Sequence, residues 1–257
     1  MVFPFARKRY YETYRTVELQ NTFYDLPGVD YAEKLRAEAP EDFIFNMKAW
    51  QVITHSSRSP TWRRMRHKPP GKLENYGELK PTSENIAAWI KVLEFARAIN
   101  ARTIVLQTPP SFGYSEENAE RASTFFKIAL EKMHEIGLGS AVAWEPRGTW
   151  HEHLEVLRNI VCRHGIIHVV DPLRRSPIIC EGQRLLYFRL HGLGGREVNY
   201  RYRYTDEDLA RLASIVKELL ETHSSIREAY VMFNNVYMAQ DSVRFREEAK
   251  RRGLAVC

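Results

Sequence analysis

The sequence lacks most features that mark membrane, secreted or metal-binding proteins. No apolar run approaches the roughly 18 residues that cross a bilayer. Basic residues at positions 7–9 follow Met1 too soon to leave room for the apolar region of a signal peptide. The three cysteines, Cys162, Cys180 and Cys257, are far apart and form no CxxC pair, which favours free thiols. We therefore expect a cytoplasmic protein with no membrane partner.

Acidic residues are missing from one long stretch of the chain. No Asp or Glu lies between Asp42 and Glu74. Within this stretch, residues 58–72, here called the basic segment, contain six cations: Arg58, Arg63, Arg64, Arg66, Lys68 and Lys72. The formal net charge of the whole chain is also +6, so the excess charge belongs to this segment. Concentrated cations attract anions, although a basic loop can also be simply solvated.

The chain alternates short apolar runs with longer amphipathic segments, the pattern of βα units around a parallel sheet. The runs predict strands at 16–20, 43–48, 103–107, 140–145, 166–171, 185–191 and 229–234. Helices are predicted at 31–38, 84–99, 116–136, 151–164, 206–222 and 239–251. A length of 257 residues suits one barrel domain. The predicted fold is α/β, a (β/α)8 TIM-type barrel over residues 1–257 with a long basic loop at about 50–82.

One strand of this predicted barrel is not visible in the sequence. Seven strands are predicted where a barrel needs eight. The first strand should precede Lys8, where only residues 2–5 remain. Either that strand is truncated, or the true start of the protein lies upstream.

At the ends of several predicted strands, polar residues occupy every second position. Residues two apart in a strand share a face, and barrel enzymes hold their working residues at the carboxyl ends of the strands. The predicted catalytic residues are Glu18, Glu145, Asp171 and His191. The predicted ligand-binding residues are Gln20, Lys48, His55, Gln107, Arg147, Arg189, Asn234 and Asn235.

The same charges have a structural alternative, a network in which three acids and three bases neutralise one another. Buried charge networks stabilise folds poorly because desolvation offsets the attraction, so the repeated polar strand ends favour a site. The histidines show no HxxxH or HxH spacing, and nearby cations disfavour another positive charge. No metal or other cofactor is predicted, and a divalent ion on the acids is the weaker alternative.

Aromatic residues accompany the basic clusters that follow predicted strands. These clusters are residues 7–9, the basic segment, Arg174 with Arg175, and residues 196–203. The aromatic residues are Trp50, Trp62, Tyr76, Phe112, Trp150, Tyr200, Tyr202 and Tyr204. Interleaved aromatic and cationic side chains can stack bases and contact phosphates. Alternatively, the aromatic residues cover the hydrophobic underside of their own loops.

An ordered set of short motifs covers nearly the whole chain. The set is ELQNTFY at 18–24, Lys48 with ITH at 53–55, QTPPSF at 107–112, EPR at 145–147 with Trp150, Asp171, RLHG at 189–192 and FNN at 233–235. In this order the motifs resemble the domain-of-unknown-function 72 family, the YecE-like barrels. The resemblance implies a TIM-type barrel and supplies no reaction.

Three positions depart from the pattern of that family. Gln20 stands where the family commonly has Asn, and Pro146 replaces an apolar residue and removes a backbone donor. The glycine-containing first strand that is typical of the family is largely absent.

Four functions compete on these observations. The first is an enzyme for a phosphate-bearing or other anionic ligand, held by Lys48, Arg147 and Arg189, with a glutamate as base and His191 or His55 as acid. The second is a nucleic-acid-binding barrel, with metal-assisted phosphodiester chemistry as one form of it. The third is a non-catalytic binding or structural protein. The fourth is a glycosidase that uses Glu18 and Glu145 as its two carboxyl groups.

Overall fold

The computed structural model describes residues 6–195 and 197–256. The predicted first strand at 2–5, Arg196 of the fourth basic cluster and Cys257 lie outside these residues. The strands are β1 (Thr16–Leu19), β2 (Ile44–Lys48), β3 (Ala101–Gln107), β4 (Ala141–Glu145), β5 (Ile167–His168), β6 (Leu185–Leu190) and β7 (Glu228–Phe233). The α-helices are α1 (Arg7–Thr13), α2 (Asn21–Tyr24), α3 (Val29–Glu38), α4 (Gln51–Thr54), α5 (Ser83–Ile99), α6 (Glu116–Glu135), α7 (Leu154–Arg163), α8 (Asp206–Thr222) and α9 (Met238–Arg251).

The predicted strands and long helices are confirmed, with boundaries that move by a few residues. The shortest strand is β5, because only Ile167 and His168 remain of the predicted run 166–171. The basic cluster at 7–9 lies in α1 and not in a loop. The strand that it was predicted to follow lies outside the described residues. The one-turn helices α2 and α4 were not predicted, since four residues are too few to show a helical period.

The chain divides into two compact units, Met1–Ile166 and Ile167–Cys257. The expectation of a single barrel domain stays a prediction. In the first unit, β1, β2, β3 and β4 form a parallel sheet in chain order. Helices α5 and α6 are capped by the preceding residues Thr82 and Ser115, whose side chains accept from backbone N–H groups of the first turn.

In the second unit, β6 and β7 pair in parallel, and Val170 forms a bridge to Phe188 of β6. Helix α8 begins with a capping box in which Thr205 and Asp208 bond to each other's backbone N–H groups. Buried apolar side chains of β6, β7, α8 and α9 form the core of this unit, including Phe188, Leu212 and Phe245.

Cys162 and Cys180 are each disulfide-bonded. The expectation of free thiols was therefore wrong for these two residues, because spacing along the chain does not determine whether a thiol finds a partner in the fold. Over residues 6–195 and 197–256, no helix is both long enough and apolar enough to span a bilayer.

Candidate functional site

Polar side chains from four strands lie on one face of the first unit's sheet. Register partners in adjacent parallel strands point to the same face. The partners are Glu18 with Asn46, Asn46 with Thr103, and Gln107 with Glu145, and Lys48 follows Asn46 by two residues. The opposite face is apolar, where Trp144 of β4 packs against Phe126 of α6. We call Glu18, Lys48, Gln107 and Glu145 the strand-end cluster.

Lys48 is the central cation of this cluster. Its side chain is only 5% exposed, and its Nζ donates to Gln107 Oε1 at 2.9 Å. The ammonium also lies 3.8 Å from the centre of the Phe23 ring, which is presented by α2 directly after β1. Burial makes a lysine ammonium costly unless neighbouring dipoles, rings or charges stabilise it. The position therefore holds a buried positive charge at the carboxyl end of β2.

Both glutamates of the cluster accept hydrogen bonds from residues two positions further along the chain. Glu145 Oε1 accepts from Arg147 Nε at 3.0 Å and from Arg147 Nη2 at 2.8 Å. Glu18 Oε1 accepts from the Gln20 amide. A guanidinium bonded to a carboxylate favours the ionised form of that carboxylate. Glu145 is thus paired with a guanidinium at the carboxyl end of β4.

His55 lies at the end of α4, buried and in contact with Phe23. Burial, followed by the charges of Lys48 and Arg147, lowers the pKa of His55 to about 3. Its Nδ1 lies 2.8 Å from Thr54 Oγ1, and Nε2 has no hydrogen-bond partner among residues 6–195 and 197–256. A neutral imidazole cannot serve as a general acid near neutral pH in the way a charged one does. The lowered pKa favours a neutral hydrogen-bonding role for His55 over the acid role, and its predicted ligand role stays a prediction.

The basic segment is anchored next to His55 while its cations face solvent. Trp62 Nε1 donates to the His55 carbonyl at 3.0 Å, and His67 binds Asp25 through Nδ1 at 3.1 Å. All six cations of the segment are exposed, and none forms an ion pair with any residue that the structure describes. Arg64 lies over the Tyr24 ring at 4.9 Å. The excess charge of the protein is thus held on an ordered surface.

Most of the aromatic residues that were expected around the basic clusters are buried. Those with exposed fractions of 6% or less are Trp50, Tyr76, Phe112, Trp150 and Tyr204. Tyr202 is partly buried, and its hydroxyl donates to Asp208 at 2.6 Å. For these residues burial favours the alternative, that they cover the underside of their loops, over stacking. Tyr200 is exposed.

In the second unit, Asp171 is a buried carboxyl at the end of the run that begins with β5. Its Oδ1 accepts from the Leu173 backbone at 3.0 Å, and Arg174 Nε lies 3.8 Å from Oδ2. Burial raises the pKa of Asp171 to about 6, and the backbone of Leu173 and the charge of Arg174 oppose this shift. Asp171 is therefore poised to exchange a proton near neutral pH.

The other predicted residues of the second unit surround the carboxyl ends of β6 and β7. Arg189 and His191 are buried, and His191 Nδ1 lies 3.1 Å from the Asn234 amide nitrogen. An amide nitrogen can only donate, so a neutral His191 carries its proton on Nε2. Asn235 has a structural use: its amide donates to the Tyr202 carbonyl at 2.8 Å and to Asp241 at 2.7 Å. Its predicted ligand role stays a prediction.

Three residues that sequence reasoning did not assign belong to the polar face or its surroundings. Phe23 contacts both Lys48 and His55. Asn46 and Thr103 are fully buried in the row that contains Glu18, and Asn46 Oδ1 and Thr103 Oγ1 have no hydrogen-bond partner within the described chain. The sequence carried a signal for Asn46 and Thr103, because each is a polar residue at a strand position that lies on the same face as Glu18.

In the first unit, hydrogen bonds join three pairs of predicted residues: Glu18 with Gln20, Lys48 with Gln107, and Glu145 with Arg147. The charges of Lys48 and Arg147 also lower the pKa of His55. In the second unit the structure brings together His191 and Asn234, and it places Asp171 near the His191 backbone. In the described ranges, no group of three or more His, Cys, Asp or Glu side chains is arranged to hold a metal ion.

Parallel strands joined by helices, with polar residues at the carboxyl ends of the strands, define an α/β protein of TIM-like type. The chain belongs to the family described as protein of unknown function DUF72, whose model matches residues 6–253. This confirms the resemblance seen in the motifs.

Two solved structures support the same assignment. A DUF72 family protein of Enterococcus faecalis is similar with a TM-score of 0.63 and 18% identity, over 95% of this chain and 86% of that chain. A DUF72 family protein of Thermotoga maritima has a TM-score of 0.59 and 27% identity, over 96% and 88%. None of the curated proteins shows significant similarity to this chain.

Proposed function

We propose that the strand-end cluster binds a small anionic ligand, such as a phosphate-bearing metabolite, and exchanges a proton with it. Lys48 and Arg147 hold the anion, His55 offers a neutral imidazole, and Glu145 or Glu18 accepts the proton. The observation that carries this proposal is the burial of Lys48 Nζ beside Gln107 on the same sheet face as Glu145. Asp171, Arg189, His191 and Asn234 keep their predicted roles in the second unit.

The charge distribution around His55 supports an anionic ligand. Lys48 and Arg147 both contribute to the lowered pKa of His55, so the local potential at the imidazole is positive. Arg147 donates from Nε and Nη2 to one oxygen of Glu145, and a guanidinium can also donate to phosphate oxygens. A ligand anion would thus meet two cations and a neutral donor.

Thermal unfolding with anionic probes tests the binding step. Inorganic phosphate, glucose 6-phosphate and AMP are added separately. A probe at a hundred times its dissociation constant stabilises the fold by about 2.7 kcal/mol, a shift of roughly 5–10 °C for a chain of this length. Lys48→Gln should lose the shift, whereas Lys91→Gln, an exposed lysine on α5, should keep it. No shift with any probe, or an unchanged shift in Lys48→Gln, contradicts the proposal.

Glu145→Gln separates binding from proton transfer. The amide keeps the size of the carboxyl group but cannot accept a proton as a base. We expect this variant to retain the thermal shift given by the active probe. Loss of the shift would mean that the Glu145 charge serves binding, and the base would then have to be Glu18.

A second function, nucleic-acid binding, is favoured by the basic segment. Six exposed cations without ion-pair partners among the described residues can contact phosphates without breaking an ion pair of the described chain. Replacing all six by Gln should weaken the binding of a fluorescent 20-nucleotide single strand at least about tenfold at roughly 0.1 M salt. Equal binding by the variant and the wild type would exclude the segment as the contact surface.

The complete (β/α)8 barrel is also kept as a proposal. It is supported by the parallel strands of both units and by the TIM-like fold that the DUF72 neighbours fit. A crystal structure with fewer than eight strands around one axis would contradict it.

A further inference from the structure

Four of the eight large apolar side chains that the described residues expose lie in the second unit, in the loop between β6 and α8 and in the segment that runs from the end of β7 into the first residue of α9. They are Tyr200, at 45% exposed, and Val236, Tyr237 and Met238, at 66%, 36% and 41%. The Val236 backbone N–H donates to the Tyr200 carbonyl at 2.7 Å, which joins the two loops. We call these four residues the tyrosine patch. Exposed apolar side chains that cluster in this way mark an interaction surface more often than scattered ones do.

The loops that carry the patch are held in place by several hydrogen bonds. Asn199 N–H donates to the His191 carbonyl at 2.7 Å, directly after β6. Gly192 has a φ of +84°, and a Cβ built there would lie 2.1 Å from the Asn199 carbonyl oxygen, so the loop packs closely on itself. The Asn235 amide binds the Tyr202 carbonyl, which connects the second loop to the first. A surface ordered in advance loses little conformational entropy when it binds a ligand.

The surroundings of the patch suit an anion. Residues 198–204 and 234–240 contain no Asp or Glu. Arg201 and Arg203 are exposed, and neither forms an ion pair within residues 6–195 and 197–256. The Arg203 guanidinium lies 5.7 Å from the centre of the Tyr237 ring. A cavity of about 450 Å³, lined in part by Asn199, Tyr200 and Arg201, opens beside the patch and falls in the size range of ligand pockets.

We propose that the tyrosine patch binds single-stranded nucleic acid, with bases stacked on Tyr200 and Tyr237 and phosphates on Arg201 and Arg203. Every base presents a flat aromatic face, so stacking on tyrosine tolerates any sequence. Arginines beside the rings neutralise the phosphates that accompany each stacked base. The absence of Asp and Glu from residues 198–204 and 234–240 argues against a basic partner. This inference rests on the nucleic-acid function proposed above and adds how bases are recognised.

Stacking and charge attraction are separated by comparing two oligonucleotides of equal charge. Fluorescence anisotropy is measured with a 20-nucleotide oligo(dT) and with a 20-mer of abasic deoxyribose phosphates. The wild type should bind oligo(dT) more tightly than the abasic strand. Tyr200→Ala and Tyr237→Ala should each weaken oligo(dT) binding about 5- to 150-fold and leave abasic binding unchanged.

Two control variants keep this test independent of folding. Tyr200→Phe and Tyr237→Phe preserve the rings and should bind oligo(dT) like the wild type. Tyr31→Ala removes a tyrosine of similar exposure from α3 and should have no effect. If the Tyr→Ala variants unfold at lower urea, the Tyr→Phe pair and the wild-type preference for oligo(dT) over the abasic strand still decide the question.

The outcomes distinguish this inference from the nucleic-acid function itself. Equal wild-type affinity for the two strands would overturn stacking while leaving the basic segment as a polyanion surface. No binding of either strand would overturn both. If light scattering shows a dimer that Tyr200→Ala disrupts, with oligo(dT) affinity unchanged, the patch is an interface between two copies and the inference is wrong.

Discussion

Two buried ionisable residues make stability depend on pH in opposite directions. His55 has a pKa lowered from 6.5 to about 3, so the unfolded chain takes up a proton at a higher pH than the folded protein does. The contribution of His55 to the free energy of unfolding is therefore complete above pH 6.5, and it is lost as the pH falls below that value. Asp171 has a pKa raised from 3.8 to about 6. Its contribution to the free energy of unfolding is therefore complete below pH 3.8, and it is lost as the pH rises toward 6.

Replacing His55 by Gln should flatten the acid side of the stability profile. Wild type is expected to lose about 2 kcal/mol between pH 6.5 and about 5 through this group, and the variant loses none of it. The free energy of unfolding in urea, measured at half-unit steps from about pH 7 to 5, gives the difference. His134→Gln, at an exposed position of α6, should run parallel to the wild type. Parallel curves for His55→Gln would show that the imidazole is not desolvated.

Replacing Asp171 by Asn should have the opposite effect. The amide keeps an oxygen that can accept from the Leu173 N–H and carries no charge to desolvate. Relative to wild type, the Asp171→Asn variant should therefore gain stability as the pH rises from about 4 to 6, by on the order of 3 kcal/mol. The measurement is urea unfolding in unit steps over about pH 4 to 7, with Asp30→Asn as the exposed control. A constant difference across this range would refute the raised pKa.

Neither shift was predictable from the sequence. The alternation of polar and apolar residues predicted that Lys48 and Glu145 would lie on the polar face of the sheet, and the register of the strands confirms this. The neutral state of His55 depends on burial and on Lys48 and Arg147, and Arg147 is distant in the chain. The Asn235 amide was predicted to bind ligand, yet it bonds to Asp241 and Tyr202, and a sequence pattern cannot separate these uses.

At the level of elements, alternation and helical period predicted the long segments, while the short connecting ones needed the structure. Helices α2 and α4 are single turns that place Phe23 and His55 beside Lys48. Such turns are fixed by tertiary contacts rather than by their own periodicity. The residues that follow strands are therefore the least predictable part of the fold and the part that shapes the candidate site.

Gly77 links the end of the basic loop to the backbone of His55. Its φ is +84°, and a Cβ built there would lie 2.5 Å from Ser56 N and 2.6 Å from His55 C. These are backbone atoms, so relief requires the chain around His55 to move. Gly77→Ala should destabilise the fold by about 2–4 kcal/mol in urea unfolding, since strain and clash add.

Gly253→Ala is the matched control for Gly77→Ala. Gly253 has a φ of +81° and no atom within 4 Å of a built Cβ, so its substitution introduces only conformational strain, about 1–2 kcal/mol. The difference between the two variants measures the clash with the His55 backbone. Equal destabilisation by Gly77→Ala and Gly253→Ala would mean that the chain around His55 moves to relieve the clash without any cost in free energy.

At the scale of the whole molecule, we expect the location of the positive charge to affect nucleic-acid binding more than the net charge does. The +6 net charge equals the six cations of the basic segment, and all six are exposed. For comparison we choose six of the cations that lie in ion pairs elsewhere: Arg7, Arg15, Arg121, Lys132, Lys217 and Lys250. Neutralising either set to Gln gives the same net charge of zero. The two variants therefore differ only in where positive charge is lost.

The salt dependence of single-stranded DNA binding should distinguish these two variants. Each phosphate contact adds about 0.7 to the slope of log affinity against log salt for a single strand. Removing the basic segment's cations should reduce that slope by up to about 4, measured by anisotropy between about 50 and 300 mM NaCl. The ion-paired set should reduce it little, because those cations are already neutralised by acids and each exposed pair stabilises the fold by at most about 1 kcal/mol. Equal losses of slope would mean that DNA responds to the net charge alone, and the basic segment would then have no special part in binding.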